Sequence, residues 1–197
     1  MKITNIKTYR MQVPLVRPFR IALGLITHAV SCLVEIETDA GITGYGEGSP
    51  GPLITGENLD GTIATVERLK EKLIGMDPRD MEAIYTVMNR TVAYAGTAKA
   101  AIDLECHDII GKSTNLPLYK VLGGLSGEIE TDMTVGIDDP AVMAEHAKAH
   151  VQAGFNVIKT KVGVDFASDL ARVRAIREAV GDQVKIRLDA NQGWKAK

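Results

Sequence analysis

Apolar and polar residues alternate along "ITNIKTYRMQV" (3–13), "VSCLVEIETD" (30–39) and "ITGYGEG" (42–48), the period of half-buried strands. "TDAG", between the latter two, is a tight turn, so an antiparallel meander is expected. The stretch between the first two strands, "PLVRPFRIALGLITHA" (14–29), is punctuated by proline and too long for a hairpin turn. It is expected to be a lid or binding loop. A second such segment, "GSPGPLITGEN", follows the third strand. From Asn58 the period changes to three and four. "NLDGTIATVERLKEKLIG", "DPRDMEAIYTVMNRTV" and "GTAKAAIDLECHDIIGKSTN" read as helices that end near glycine or asparagine. "PLYKVLGG" adds a short helix stopped by a glycine pair. Residues 1–125 are thus expected to form an α+β domain.

After "LSGEIE" the rhythm changes again. "TDMTVGI", "NVIKTKVG" and "QVKIRLDANQGW" read as strands, separated by the helices "PAVMAEHAKAHVQAG" and "DFASDLARVRAIREAVG". This alternation implies parallel strands joined by right-handed crossovers. Three such strands with two covering helices bury little apolar surface. The chain therefore reads as the front part of something longer, with residues 126–197 its incomplete α/β portion; a (β/α)₈ barrel would need five more units.

Composition narrows the partners. The chain of 197 residues is 45% hydrophobic and carries 23 Lys and Arg against 25 Asp and Glu, a net charge of −2. A balanced charge gives no basic field for nucleic acid. Neither a signal peptide nor a long apolar span appears, so no membrane partner and a cytoplasmic setting are expected. Cys32 and Cys106 lack zinc-like or redox spacing and are expected in the core.

In parallel α/β architectures the carboxyl ends of strands carry the chemistry. Here they offer Thr134 on the first strand, Lys159 and Lys161 on the second, and Asp189 and Asn191 on the third. By parity all face one mouth. Lys161 is the candidate base. In "VIKTKVG" a second ammonium, that of Lys159, leaves from the same face. Desolvation and like-charge repulsion then disfavour the charged form, making available an amine that ordinarily titrates at about 10.4. The competing reading is a pair of lysines on a solvent-facing edge. Asp189, ending "KIRLD", could ligate a hard cation such as Mg²⁺, or serve an Asx turn or helix cap. His146 and His150 at i, i+4 read as a solvent-exposed pair, His107 as helix surface or core edge, and His28 as part of the first long loop. No phosphate-binding glycine loop or G-x-S-x-G elbow occurs.

"IKTKVG" followed by "LDANQGW", after an α+β domain ending in "PLYKVLGG", resembles the enolase superfamily in its muconate-lactonizing subgroup. "GEIETDMTVGI" and "LITGENLD" are most similar to the dipeptide epimerases of the Ala-Glu type. The resemblance implies a capping domain, then a modified TIM-like barrel, with Mg²⁺ stabilising the enediolate formed when a lysine removes a proton α to a carboxylate. By position it implies that Lys161 is the acid/base, Lys159 its neighbour on the substrate carboxylate, Asp189 the first metal ligand with Asn191 behind it, and Thr134 a substrate contact. Two further acidic ligands and an opposing lysine would lie on later strands, so this portion alone is expected to be inactive. Where glutamate-selective relatives often carry an arginine, this chain reads "ALGLIT". Gly24 there, with Leu23, Leu25 and Ile54, points to a dipeptide whose second residue is less acidic than glutamate, hydrophobic residues included. A homo-oligomer is expected. The alternatives are a muconate cycloisomerase or o-succinylbenzoate synthase, or a non-catalytic binding module if the chain ends at Lys197.

Overall fold

The computed structural model describes residues 1–125 and 127–196. Ser126, where the sequence reading starts the second domain, and Lys197 lie outside the described residues. The chain divides into two units, Met1–Val13 with Ala29–Gly127, and Pro14–His28 with Glu128–Lys197.

In the first unit the sheet runs in the order β1 (Ile3–Ile21), β2 (Gly24–Thr38), β3 (Thr43–Gly48). β2 and β3 pair antiparallel, with Val34 opposite Gly46, across a turn in which Gly41 takes a positive φ of 73°. Helices α1 (Leu59–Leu73), α2 (Met81–Thr91), α3 (Gly96–Thr114) and the short α4 (Leu118–Val121) follow. The Asn58 side chain caps α1 by accepting from the Gly61 N–H at 2.9 Å. Asn115 ends α3 in the left-handed region. The core joins Ile3, Ile6, Val34 and Ile36 of the sheet to Val66, Leu69, Ile84, Met88, Ile102 and Ile109 of the helices. Both cysteines are buried and free, and burial pushes the Cys106 thiol up to about 12.

β3 meets α3 without side chains between them. A Cβ on Gly44, Gly46 or Gly48 would stand 2.5, 2.1 or 2.8 Å from the carbonyl oxygens of Glu105, Ala101 and Thr97. The periods explain the match: two strand residues advance about 6.7 Å and four helical residues about 6 Å. Alternate glycines can therefore follow one line of the helix.

The same close approach seals Glu105. Its side chain is fully buried, and neither carboxyl oxygen finds a hydrogen-bond partner among the described residues. Burial, then the charges of Glu35 and Asp108, push its carboxyl up to about 10, so it is a neutral acid at pH 7. An unfolded chain would ionise it near the ordinary 4.5. Stability from this group is thus complete below that value and is lost as pH rises toward about 10, by at most about 1.4 kcal/mol per pH unit. The melting temperature of the parent should accordingly fall between pH 6 and 9 relative to Glu105→Gln; parallel curves would show that Glu105 holds no extra proton.

The expected loop 14–29 is instead the tip of a long hairpin. β1 continues to Ile21 and β2 begins at Gly24, leaving Ala22 and Leu23 as the connection. β1 accommodates Pro14 and Pro18 as the outer strand of its sheet, where an N–H on the open edge has no ladder partner to lose. His28 consequently lies within β2.

The second unit contains this tip and a parallel sheet ordered β4 (Met133–Val135), β5 (Val157–Lys161), β6 (Lys185–Asp189). Helices α5 (Pro140–Gln152) and α6 (Phe166–Val180) make the crossovers. Val135, Met143, Ala147, Ile158 and Ile176 form its core. Within the unit, the Ile137 N–H donates to the Arg20 carbonyl at 2.9 Å. Arg17 Nη1 reaches His146 Nε2 at 2.9 Å. His146 is thus half-buried against Arg17 of the hairpin tip, and His150 is half-buried beside Phe155, rather than both being solvent-exposed.

Candidate active site

The strand ends of the second unit place Thr134, Lys159, Lys161 and Asp189 on one face of the sheet, with Asn191 in the turn that follows. Thr134 stands level with Lys159, and Lys161 level with Asp189, so side chains of the same parity leave from one face of the sheet. On the other face, Ile158 and Thr160 are buried. That is why the strand reads as apolar although it carries two lysines.

Lys161 is only 7% exposed. Its Nζ donates to Asp189 Oδ2 at 2.7 Å, and Lys159 Nζ lies 3.0 Å from the same oxygen. The other carboxylate oxygen of Asp189 accepts from the Asn191 backbone N–H at 2.9 Å. The bond from Lys161 first, then those from Asn191 and Lys159, hold the Asp189 carboxyl well below the usual carboxylate range. The expectation of two ammonium groups crowding one another needs a correction: a shared anion stands between them, so their repulsion is offset in this arrangement. The sequence could not show this, because the level of β6 against β5 is set by the packing of the crossovers.

Of the readings offered for Asp189, the structure gives the turn: it closes an Asx-type turn to Asn191, whose φ is 43°, while its other oxygen faces the two lysines. Asn191 Oδ1 is buried without a hydrogen-bond partner among the described residues. Hard oxygen donors of this kind suit Mg²⁺ better than a softer ion. Among the described residues no group of three or more His, Cys, Asp or Glu is placed to hold a metal, so Asp189 fits as one ligand of a set, not as a complete site.

Gly24 and Ile54 fall in different units. Gly24 has a φ of 150° with open space where a Cβ would be. Leu25 beside it is 52% exposed and Ile54 is 61% exposed, both apolar surfaces as the sequence suggests. The sequence reading does not single out Asp169 and Arg172. "DLAR" near a helix start reads as a surface pair, yet Asp169 is buried and accepts from the Gly163 N–H at 2.7 Å. The signal available was the glycine two residues beyond Lys161. No helix among the described residues is long and apolar enough to cross a membrane.

Residues 3–123 match the family model described as mandelate racemase/muconate lactonizing enzyme, N-terminal domain, and residues 142–197 match that described as enolase C-terminal domain-like. The hydrophobic dipeptide epimerase of Enterococcus faecalis is 49% identical over 197 residues, 100% of this chain and 56% of that protein. The L-Ala-D/L-Glu epimerase of Bacillus subtilis is 41% identical, over 100% of this chain and 54% of its own length. The crystal structure of the Enterococcus faecalis dipeptide epimerase with Mg and the dipeptide L-Leu-L-Tyr matches at a TM-score of 0.96 and 49% identity, covering 98% of this chain and 55% of that one. The chain spans about half the length of the curated relatives it matches.

Proposed function

The chain belongs to the mandelate racemase/muconate lactonizing enzyme family of the enolase superfamily, and on that footing we propose that the enzyme it contributes to epimerises the α-carbon of a dipeptide by 1,1-proton transfer. The observation that carries this is the convergence of Lys159 and Lys161 on one carboxylate, at 3.0 and 2.7 Å, at adjacent ends of parallel strands.

A proton α to a carboxylate is very weakly acidic, so removing it requires a base in a dry site and positive charge where negative charge builds. Lys161, almost fully buried, moves the proton on one face of the α-carbon. Lys159, more exposed, engages the substrate carboxylate, and Thr134 contacts substrate from the level of Lys159. Asp189 would hold a Mg²⁺ ion, with the Asn191 N–H fixing its carboxylate; when bound, the ion would supply positive charge against the negative charge that develops on the substrate carboxylate. A lysine facing Lys161 across the substrate completes an inversion, and it would come from further strands.

The substrate class is inferred from the hairpin tip and the relatives. Leu23 and Leu25, in the same unit as the lysines, offer no charge to a second-residue carboxylate, and a relative at 49% identity is named for hydrophobic dipeptides. With full-length protein in D₂O, α-proton exchange on Ala-Leu or Ala-Phe should exceed that on Ala-Glu by about tenfold or more in kcat/KM. A preference for Ala-Glu would remove the hydrophobic assignment. Lactonization of muconate with no exchange on any dipeptide would remove the epimerase itself.

A further inference from the structure

Resting on that reading of the Lys161 site, we propose that Asp169 and Arg172 of α6 are positioning residues that set the Lys161–Asp189 geometry. Neither touches the site directly. Their side chains are 6% and 14% exposed and pair at 3.1 Å. Burying such a pair costs desolvation, and an apolar pair of similar volume is often as stable or more so, so a contribution to stability alone is a weak reason for its presence.

Its connections give a better one. Asp169 Oδ1 takes the Arg172 guanidinium, while Oδ2 accepts from the Gly163 N–H at 2.7 Å. Arg172 uses its Nε to donate to the Asp138 carbonyl at 3.0 Å, in the segment that follows β4. One ion pair thus ties the peptide two residues beyond Lys161 to the segment beyond Thr134.

Gly163 is where the tie acts. Its φ is 106°, and a Cβ there would stand 2.6 Å from the Ala190 carbonyl oxygen. The Gly163 carbonyl oxygen lies 2.3 Å from where a Cβ of Gly193 would be. One residue earlier, the Val162 N–H donates to the Asp189 carbonyl at 3.1 Å. The segment leaving Lys161 is therefore seated, backbone against backbone, on the segment leaving Asp189. A left-handed glycine has many other conformations open to it, and the Asp169 carboxylate selects the one that keeps this seat. A displacement of about 1 Å at reacting groups can cost about 100-fold in rate.

The test uses the full-length enzyme and two readouts, steady-state epimerisation and crystal structures. Asp169→Ala should lower kcat by about 10- to 100-fold with KM within about threefold. Asp169→Asn keeps an acceptor for the Gly163 N–H and should recover most of that loss. In the Asp169→Ala structure, residues 162–164 should leave the seat and Lys161 Nζ should move beyond 3.5 Å, the ordinary hydrogen-bond limit, from the Asp189 carboxylate. Unchanged kcat, equal losses in both variants, or a Lys161–Asp189 pair still at its parent distance would overturn the proposal. If the parent turns over no dipeptide, the functional reading fails and the two variant structures decide the positioning role by themselves. Should Asp169→Ala not fold, Arg172→Met, which cuts the link to Asp138 and leaves Asp169 unpaired, is judged by the same two readouts.

Discussion

Gly46→Ala is expected to destabilise the chain by about 3 kcal/mol or more and to lower its melting temperature by about 10 °C. The added methyl carbon would sit 2.1 Å from the Ala101 carbonyl oxygen and 2.7 Å from Glu105 Cγ. A flexible side chain could yield, but the first of these atoms is backbone in the middle of α3. Relief requires the helix to lift from β3 along its length. That movement would also open the neighbouring contacts of Gly44 and Gly48 and admit water to Glu105. The control lies on the same helix: Gly96 has nothing within 4 Å of its added Cβ, and alanine favours helix, so Gly96→Ala should melt at or slightly above the parent. Thermal unfolding of the parent and both variants checks the pair. A Gly46→Ala midpoint within about 1 °C of the parent would mean that α3 does not ride on the glycine stripe.

The stripe also shows what the sequence could and could not disclose. "TGYGEG" reads as a strand, but the helix that needs those glycines begins 48 residues later, and nothing local pairs Gly46 with Ala101. The three long helices of the first unit were legible because each buries one face. Likewise the alternation from β4 to β6 was legible because crossover connections leave few topologies. The hairpin tip was misread for a specific reason: proline is a breaker only where its missing N–H would have had a partner, and sequence does not say which strand is outermost. At the site, parity along β5 and β6 was sufficient to put Lys159, Lys161 and Asp189 on one face. Their sharing of a single carboxylate oxygen depends on the register between strands 28 residues apart. The role of Asp169 depends on a glycine conformation that composition does not reveal.

Lys161→Met in the full-length enzyme is expected to abolish epimerisation, lowering kcat by about 10³-fold or more, within the range a general acid-base group supplies. The more discriminating expectation concerns stereochemistry. Under the proposed 1,1-transfer, Lys161 serves one face of the α-carbon and a lysine from another strand serves the other. Removing Lys161 stops inversion in both directions, since one half of every inversion passes through its amine. Exchange with solvent is not lost equally. The epimer whose proton faces Lys161 has no base and should retain its hydrogen in D₂O. The opposite epimer still meets the remaining lysine, which can take the proton and return a deuteron to the same face, so exchange without inversion should persist. Methionine keeps the unbranched stem that Lys161 packs into the strand end, and Asp189 retains its bonds to Lys159 and the Asn191 N–H, so the melting temperature should stay near the parent's. Proton NMR of each epimer separately, incubated in D₂O with the variant, reads the outcome directly. Equal exchange from both epimers would show that the base on that face is not Lys161, and that the nearly buried amine paired to Asp189 serves to bind rather than to move a proton.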